Sequence, residues 1–106
     1  MVILEIKNSY WNEVHHHIIT RGRMAPLSLQ WDLDVTCAGT DYVLKVQHMN
    51  KRRIAVLQAL QVCSHSRGGR PEYQLVDDTA LLRALFEMLI RPVCGGADGS
   101  VVSQTA

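Results

Sequence analysis

Cysteine is scarce in this 106-residue chain, and its three copies, Cys37, Cys63 and Cys94, are widely spaced and odd in number. None belongs to a C-x-x-C pair, so a disulfide framework is not indicated. They read instead as small hydrophobes in or near a core. Long apolar runs are missing as well. Arg83 and Glu87 interrupt the most apolar segment, well short of the roughly 20 residues a membrane-spanning helix needs. The opening Met1-Val-Ile-Leu-Glu-Ile-Lys7 has no basic leader, and its apolar run breaks at Glu5, unlike a signal peptide. A cytoplasmic protein without membrane contact is expected. The signatures of catalysis are absent too: no Walker A loop, Rossmann glycine fingerprint, G-x-S-x-G or H-E-x-x-H occurs. Cys63-Ser-His65 sets a thiol beside an imidazole, but sequence neighbours seldom reach the geometry of an activated nucleophile. A non-enzymatic protein is expected, with no catalytic residue and no cofactor.

What is present is an ordinary globular mixture, 47% hydrophobic and 20% charged, in a length that suits one domain. Leu27, Leu29, Trp31, Leu33 and Val35 alternate with polar residues, which is the period of a strand with one buried face. A short turn over Cys37–Asp41 follows, with Gly39 free to take positive φ, and then Tyr42–Met49 alternates again. The two runs predict a β-hairpin. Val2–Ile6 and Glu72–Val76 are shorter strand candidates. Asn50 is positioned to cap a helix over Lys51–Cys63, whose Ile54, Val56, Leu57, Leu60 and Cys63 form a broad apolar stripe. A second helix is predicted from Thr79 to about Ile90, opened by Asp77 and Asp78, with Leu82, Leu85, Met88 and Leu89 inward and Pro92 as its stop. Residues 1–93 are expected to form one domain, and the Gly-rich, polar residues 94–106 a flexible tail.

Residues 10–20 are contested. Trp11, Val14 and Ile18 have helical spacing, yet the histidines, isoleucines and Thr20 are mediocre helix formers. As a helix the segment implies a split β-α-β plan; as a strand it extends an antiparallel meander of about four strands, the reading preferred here. Both give an α+β fold with two or three helices packed on one face of an antiparallel sheet.

Two features bear on binding. His15, His16 and His17 are consecutive, and on a strand only His15 and His17 share a face, needing a third ligand from elsewhere such as His48, Cys37 or Asp32. Metal-ligand spacing on two separate elements is lacking, so no metal site is assigned; weak metal binding by the His15–His17 segment is the alternative. The other feature is charge. Between Asp41 and Glu72 there is no acid, while Lys45, Lys51, Arg52, Arg53, Arg67 and Arg70 all fall inside, giving +6 in a chain whose formal net charge is +1 and leaving −5 outside. Lys51, Arg52, Arg53, Arg67 and Arg70 are the candidate nucleic-acid-binding residues, set about 20 Å apart across the predicted helix. The leading expectation is a protein-interaction domain, a homodimer or a partner of another protein, because a sheet face left bare by helices is prone to pairing. Ile19, Val43 and Met49 point away from the inward residues and favour this. Polyanion binding through the 45–70 window is the alternative.

Overall fold

The structure, a computed structural model, describes residues 1–24, 29–50, 52–65, 69, 71–94 and 101–105. Strand β1 (Val2–Ile6) leads into helix α1 (Asn8–Arg21) and the two-residue strand β2 (Arg23–Met24). Then come β3 (Gln30–Cys37), β4 (Thr40–His48), β5 (Arg53–His65) and β6 (Pro71–Val76). Helix α2 (Thr79–Cys94) and strand β7 (Val101–Thr105) complete the order. Among the described residues all strand pairings are antiparallel, within one seven-stranded sheet. The fold is α+β, as composition and pattern imply.

The segment β2 to β6 is a meander in which each strand pairs with the next. β5 is its axis. One edge pairs with β4; the other is shared end to end, by β1 over Arg53–Val56 and by β6 over Ala59–His65. The predicted β3–β4 hairpin is present, with Leu33 opposite Leu44 and Val35 opposite Tyr42. Its two-residue turn holds Ala38 at φ 51° and Gly39 at φ 79°, the doubly left-handed geometry that suits the right-handed twist of the flanking strands.

The core lies between the sheet and the two helices, which pack on each other and on the sheet. Val2, Leu4 and Ile6 of β1, Leu33 and Val35 of β3, Leu44 and Val46 of β4 and Ile54, Val56 and Ala59 of β5 are buried against Val14 and Ile18 of α1 and Leu82, Leu85, Phe86, Leu89 and Ile90 of α2. Leu29, expected inward, is instead 71% exposed at the mouth of β3. Asp78 caps α2: its Oδ1 accepts from the Ala80 N–H at 2.9 Å, and its carbonyl accepts from Leu82. At the end of α1 the Gly22 N–H bonds the Ile18 carbonyl at 2.8 Å, and a Cβ there would stand 2.7 Å from that same oxygen, so the close exit requires glycine.

Several expectations are corrected. Residues 10–20 are helix, not the fourth strand of a meander. Burial of Val14 and Ile18 against the core outweighs their weak helix propensity. Residues 53–65 are a strand, not a helix begun at Lys51. A register shift on β5 between its pairings with Lys45 and Val46 inserts Leu57 as an extra residue, so the inward positions run Ile54, Val56, Ala59. Helix α2 does not stop before Pro92 but runs to Cys94. So near the C-terminus Pro92 removes a single bond, the one its N–H would make to the Met88 carbonyl. Residues 101–105 pair with β1, Leu4 opposite Gln104 and Glu5 opposite Ser103.

Candidate functional site

Three regions carry the residues singled out by the sequence. The first is the sheet face turned away from the helices. Because side chains alternate across a strand, the partners of the buried residues' neighbours define it. Asp34 stands opposite Val43, Val43 opposite Leu60 and Leu60 opposite Leu75, a continuous row across β3, β4, β5 and β6. The next row sets Thr36 opposite Asp41 and Val62 opposite Tyr73. Leu75 is 56% exposed and Tyr73 51%. A depression of about 460 Å³ on this side is lined by Val43, Val62 and Tyr73 together with Arg23, Asp34 and Asp41. Arg23 grips Asp34 with both terminal nitrogens, at 2.9 and 3.0 Å, and this bond and charge hold its guanidinium above its already high ordinary pKa. One row further, Lys45 Nζ lies 3.2 Å from Asp32 Oδ1. Apolar side chains thus sit beside charges of both signs. Of the residues expected to point outward, Val43 lies in this row, while Ile19 on α1 and Met49 after β4 are exposed elsewhere, at 41% and 42%.

The second region is the histidine cluster. Helical geometry separates the triplet, so His15 and His17 do not share the face that a strand would give them. His16 is exposed. His17 turns toward α2, where burial and then the Arg21 charge lower its pKa, against a smaller raising effect from the Leu89 backbone. His15 turns toward the end of β4, where its Nδ1 is 3.1 Å from Nε2 of His48. The indole of Trp11 stands against both rings, with centroids 5.3 Å from His15 and 5.9 Å from His48. His48 has a lowered pKa, first from burial and then from the neighbouring His15, so its neutral form is favoured. Sequence spacing could not pair residues 15 and 48, since the contact depends on how α1 lies over the sheet. Among the described residues no group of three or more His, Cys, Asp or Glu converges as a metal cage would require.

The third region is the basic window. Lys51, Arg67 and Arg70 lie outside the described residues. Arg53 faces Glu5 across the β1–β5 pair, its Nε 3.8 Å from the carboxylate. Arg52 precedes β5 at φ 59°, half-buried, and its Nε is buried without a hydrogen-bond partner among the described residues. Lys45 is engaged by Asp32. Since residues 53–65 are extended, the 13 residues of β5 carry the chain roughly 40 Å rather than 20 Å from Arg53 to the end that leads toward Arg67. Of the described members of the window, Lys45 and Arg53 each have an acidic neighbour.

Of the cysteines, Cys37 is half-buried and Cys63 exposed, both free, with the Cys63 thiol 3.7 Å from the Gln61 carbonyl. Cys63 does not fill the inward stripe assigned to it as a helical residue. No helix among the described residues is long and apolar enough to cross a membrane. Comparison of the chain with protein-family models, with curated proteins and with solved structures finds no match to any of them.

Proposed function

We propose that the chain is a small non-enzymatic interaction domain that pairs with a second copy of itself through the sheet face opposite the helices. The row Val43–Leu60–Leu75, flanked by Val62 and Tyr73, carries the reading. Contiguous apolar residues on a solvent-facing sheet contribute little to an isolated domain and invite pairing. The charges beside that row favour a second copy over other occupants. A two-fold contact is self-complementary, so its surface must offer partners for its own charges. This face does so, with Arg23 and Lys45 set among Asp32, Asp34 and Asp41. A nucleic acid would instead meet three carboxylates there.

A stable contact of standard size covers about 800 Å² per partner. The chain exposes 6520 Å², so roughly an eighth of it would be occluded. Sedimentation velocity across a hundredfold range of micromolar concentration tests the reading. The wild type is expected to move from the 11.9 kDa protomer toward twice that mass as concentration rises. Replacing Leu75 and Tyr73 together by Glu is expected to hold it at the protomer mass, with its circular dichroism unchanged. A wild type that stays at the protomer mass throughout removes the proposal.

A further inference from the structure

The contact between His15 and His48, within hydrogen-bond distance, is not an in-line bond between two imidazoles. In such a bond between neutral imidazoles one nitrogen aims its N–H along the other's lone pair. Each ring nitrogen lies about 1.1 Å from its ring centre, so an in-line pair 3.1 Å apart would have centroids about 5.3 Å apart. Here the centroids are 4.4 Å apart and the planes are inclined at 50°, so the two rings are not both in line with the N···N axis. The separation matches a different arrangement. Two nitrogens bound to one ion at 2.0–2.1 Å stand about 2.9 Å apart when cis in a square plane, and about 3.3 Å apart at the tetrahedral angle. The observed 3.1 Å falls between these values.

We propose that His15 Nδ1 and His48 Nε2 form a two-nitrogen site for a late first-row divalent cation, with its remaining coordination positions open to water or an outside ligand. The two side chains come from different elements anchored in the same core, α1 by Val14 and Ile18 and β4 by Leu44 and Val46. The site is thus held in place before any ion arrives. Trp11 shields one side of the pair. Imidazole ligation suits copper, nickel and zinc, and the general affinity order puts Cu²⁺ first. With two protein ligands the ion stays exchangeable. The site is independent of the self-association reading, because it lies at the α1–β4 contact rather than on the apolar row.

The test is titration of the full chain with Cu²⁺, and separately with Zn²⁺, followed by tryptophan fluorescence, isothermal calorimetry and the electron paramagnetic resonance of the copper form. One equivalent is expected to saturate, quenching Trp11, with two imidazole nitrogens coupled to the copper. His15→Gln and His48→Gln are each expected to weaken binding at least tenfold, while a His16→Gln/His17→Gln double variant binds as the wild type does. Three results overturn the proposal: no saturable binding, binding that survives His48→Gln, or binding lost with His16 and His17. If His48→Gln fails to fold, the wild-type copper spectrum decides alone, and a single coupled imidazole or none refutes the site.

Discussion

The β3–β4 turn allows a stability effect to be worked out from backbone angles alone. Ala38 sits at φ 51°, a left-handed conformation that costs an L-residue with a Cβ about 1–2 kcal/mol. Asparagine tolerates this region through local hydrogen bonding and is the preferred residue before Gly in such turns. Ala38→Asn should therefore recover part of that strain, a gain of about 0.5–1 kcal/mol. Ala38→Gly removes all of it, but loses about 0.5–1 kcal/mol because glycine has more freedom in the unfolded chain, so its net gain is similar or smaller. The reverse change one residue later is the control. Gly39 is at φ 79° and an added Cβ would meet nothing within 4 Å, so Gly39→Ala carries a torsional cost and no steric one. It should destabilise by about 0.5–1 kcal/mol once the reduced freedom of the unfolded chain is subtracted. Urea unfolding at one fixed protein concentration reads all three variants as midpoint shifts at unchanged slope. On heating, about 1 kcal/mol corresponds to roughly 4–8 °C for a domain of this size. If Ala38→Asn destabilises, or if Gly39→Ala changes nothing, the turn does not have this geometry.

Two further outcomes are expected. Leu33 is 1% exposed in the centre of the core, so Leu33→Ala should cost about 2–5 kcal/mol, and a measured loss below about 1 kcal/mol by urea unfolding would place it on the wrong face. Acid should also weaken the fold: burial lowers the pKa of His17 and of His48 below the ordinary value of 6.5, so the unfolded chain takes up these protons first. Stability from these groups is therefore full above about pH 6.5 and is lost as pH falls through the window below it. The urea midpoint should fall between pH 7.5 and 5, with a shallower fall in His48→Gln; a midpoint that rises would contradict the sign.

The parts of the fold that were legible in the sequence are those where one face is dry and the other wet. β3 and β4 alternate cleanly because their outer faces carry Asp32, Asp34, Lys45 and Gln47. β5 lacks that contrast. Ala55 is buried on the outer face, Leu60 and Val62 are half-buried there, and the extra residue Leu57 shifts the phase of the inward set. The resulting spacing of two and then three residues imitates a helical stripe, so periodicity points to the wrong element. In α1 the difficulty is the opposite, a true helix whose buried stripe is only Val14 and Ile18 and whose other residues favour strands. The apolar row becomes visible only once β5 is a strand, because Leu60 aligns with Val43 and Leu75 through cross-strand register. The His15–His48 contact depends on the crossing of two elements 33 residues apart, which no local pattern encodes.

The double tenancy of β5's edge has a consequence for the order of assembly. The β3–β4–β5–β6 ribbon closes through short connections, each strand meeting the next, so it can zip up early at little entropic cost. β1 has to return from the other end of the chain, bringing Leu4 to Ile54 across about 50 residues, and it finds only the half of that edge β6 leaves vacant. Until it docks, the backbone of Arg53–Val56 presents an open margin to any extended segment nearby. The same margin on another chain would serve β1 equally well, so exchange of this N-terminal strand between molecules is the characteristic misassembly of such a sheet.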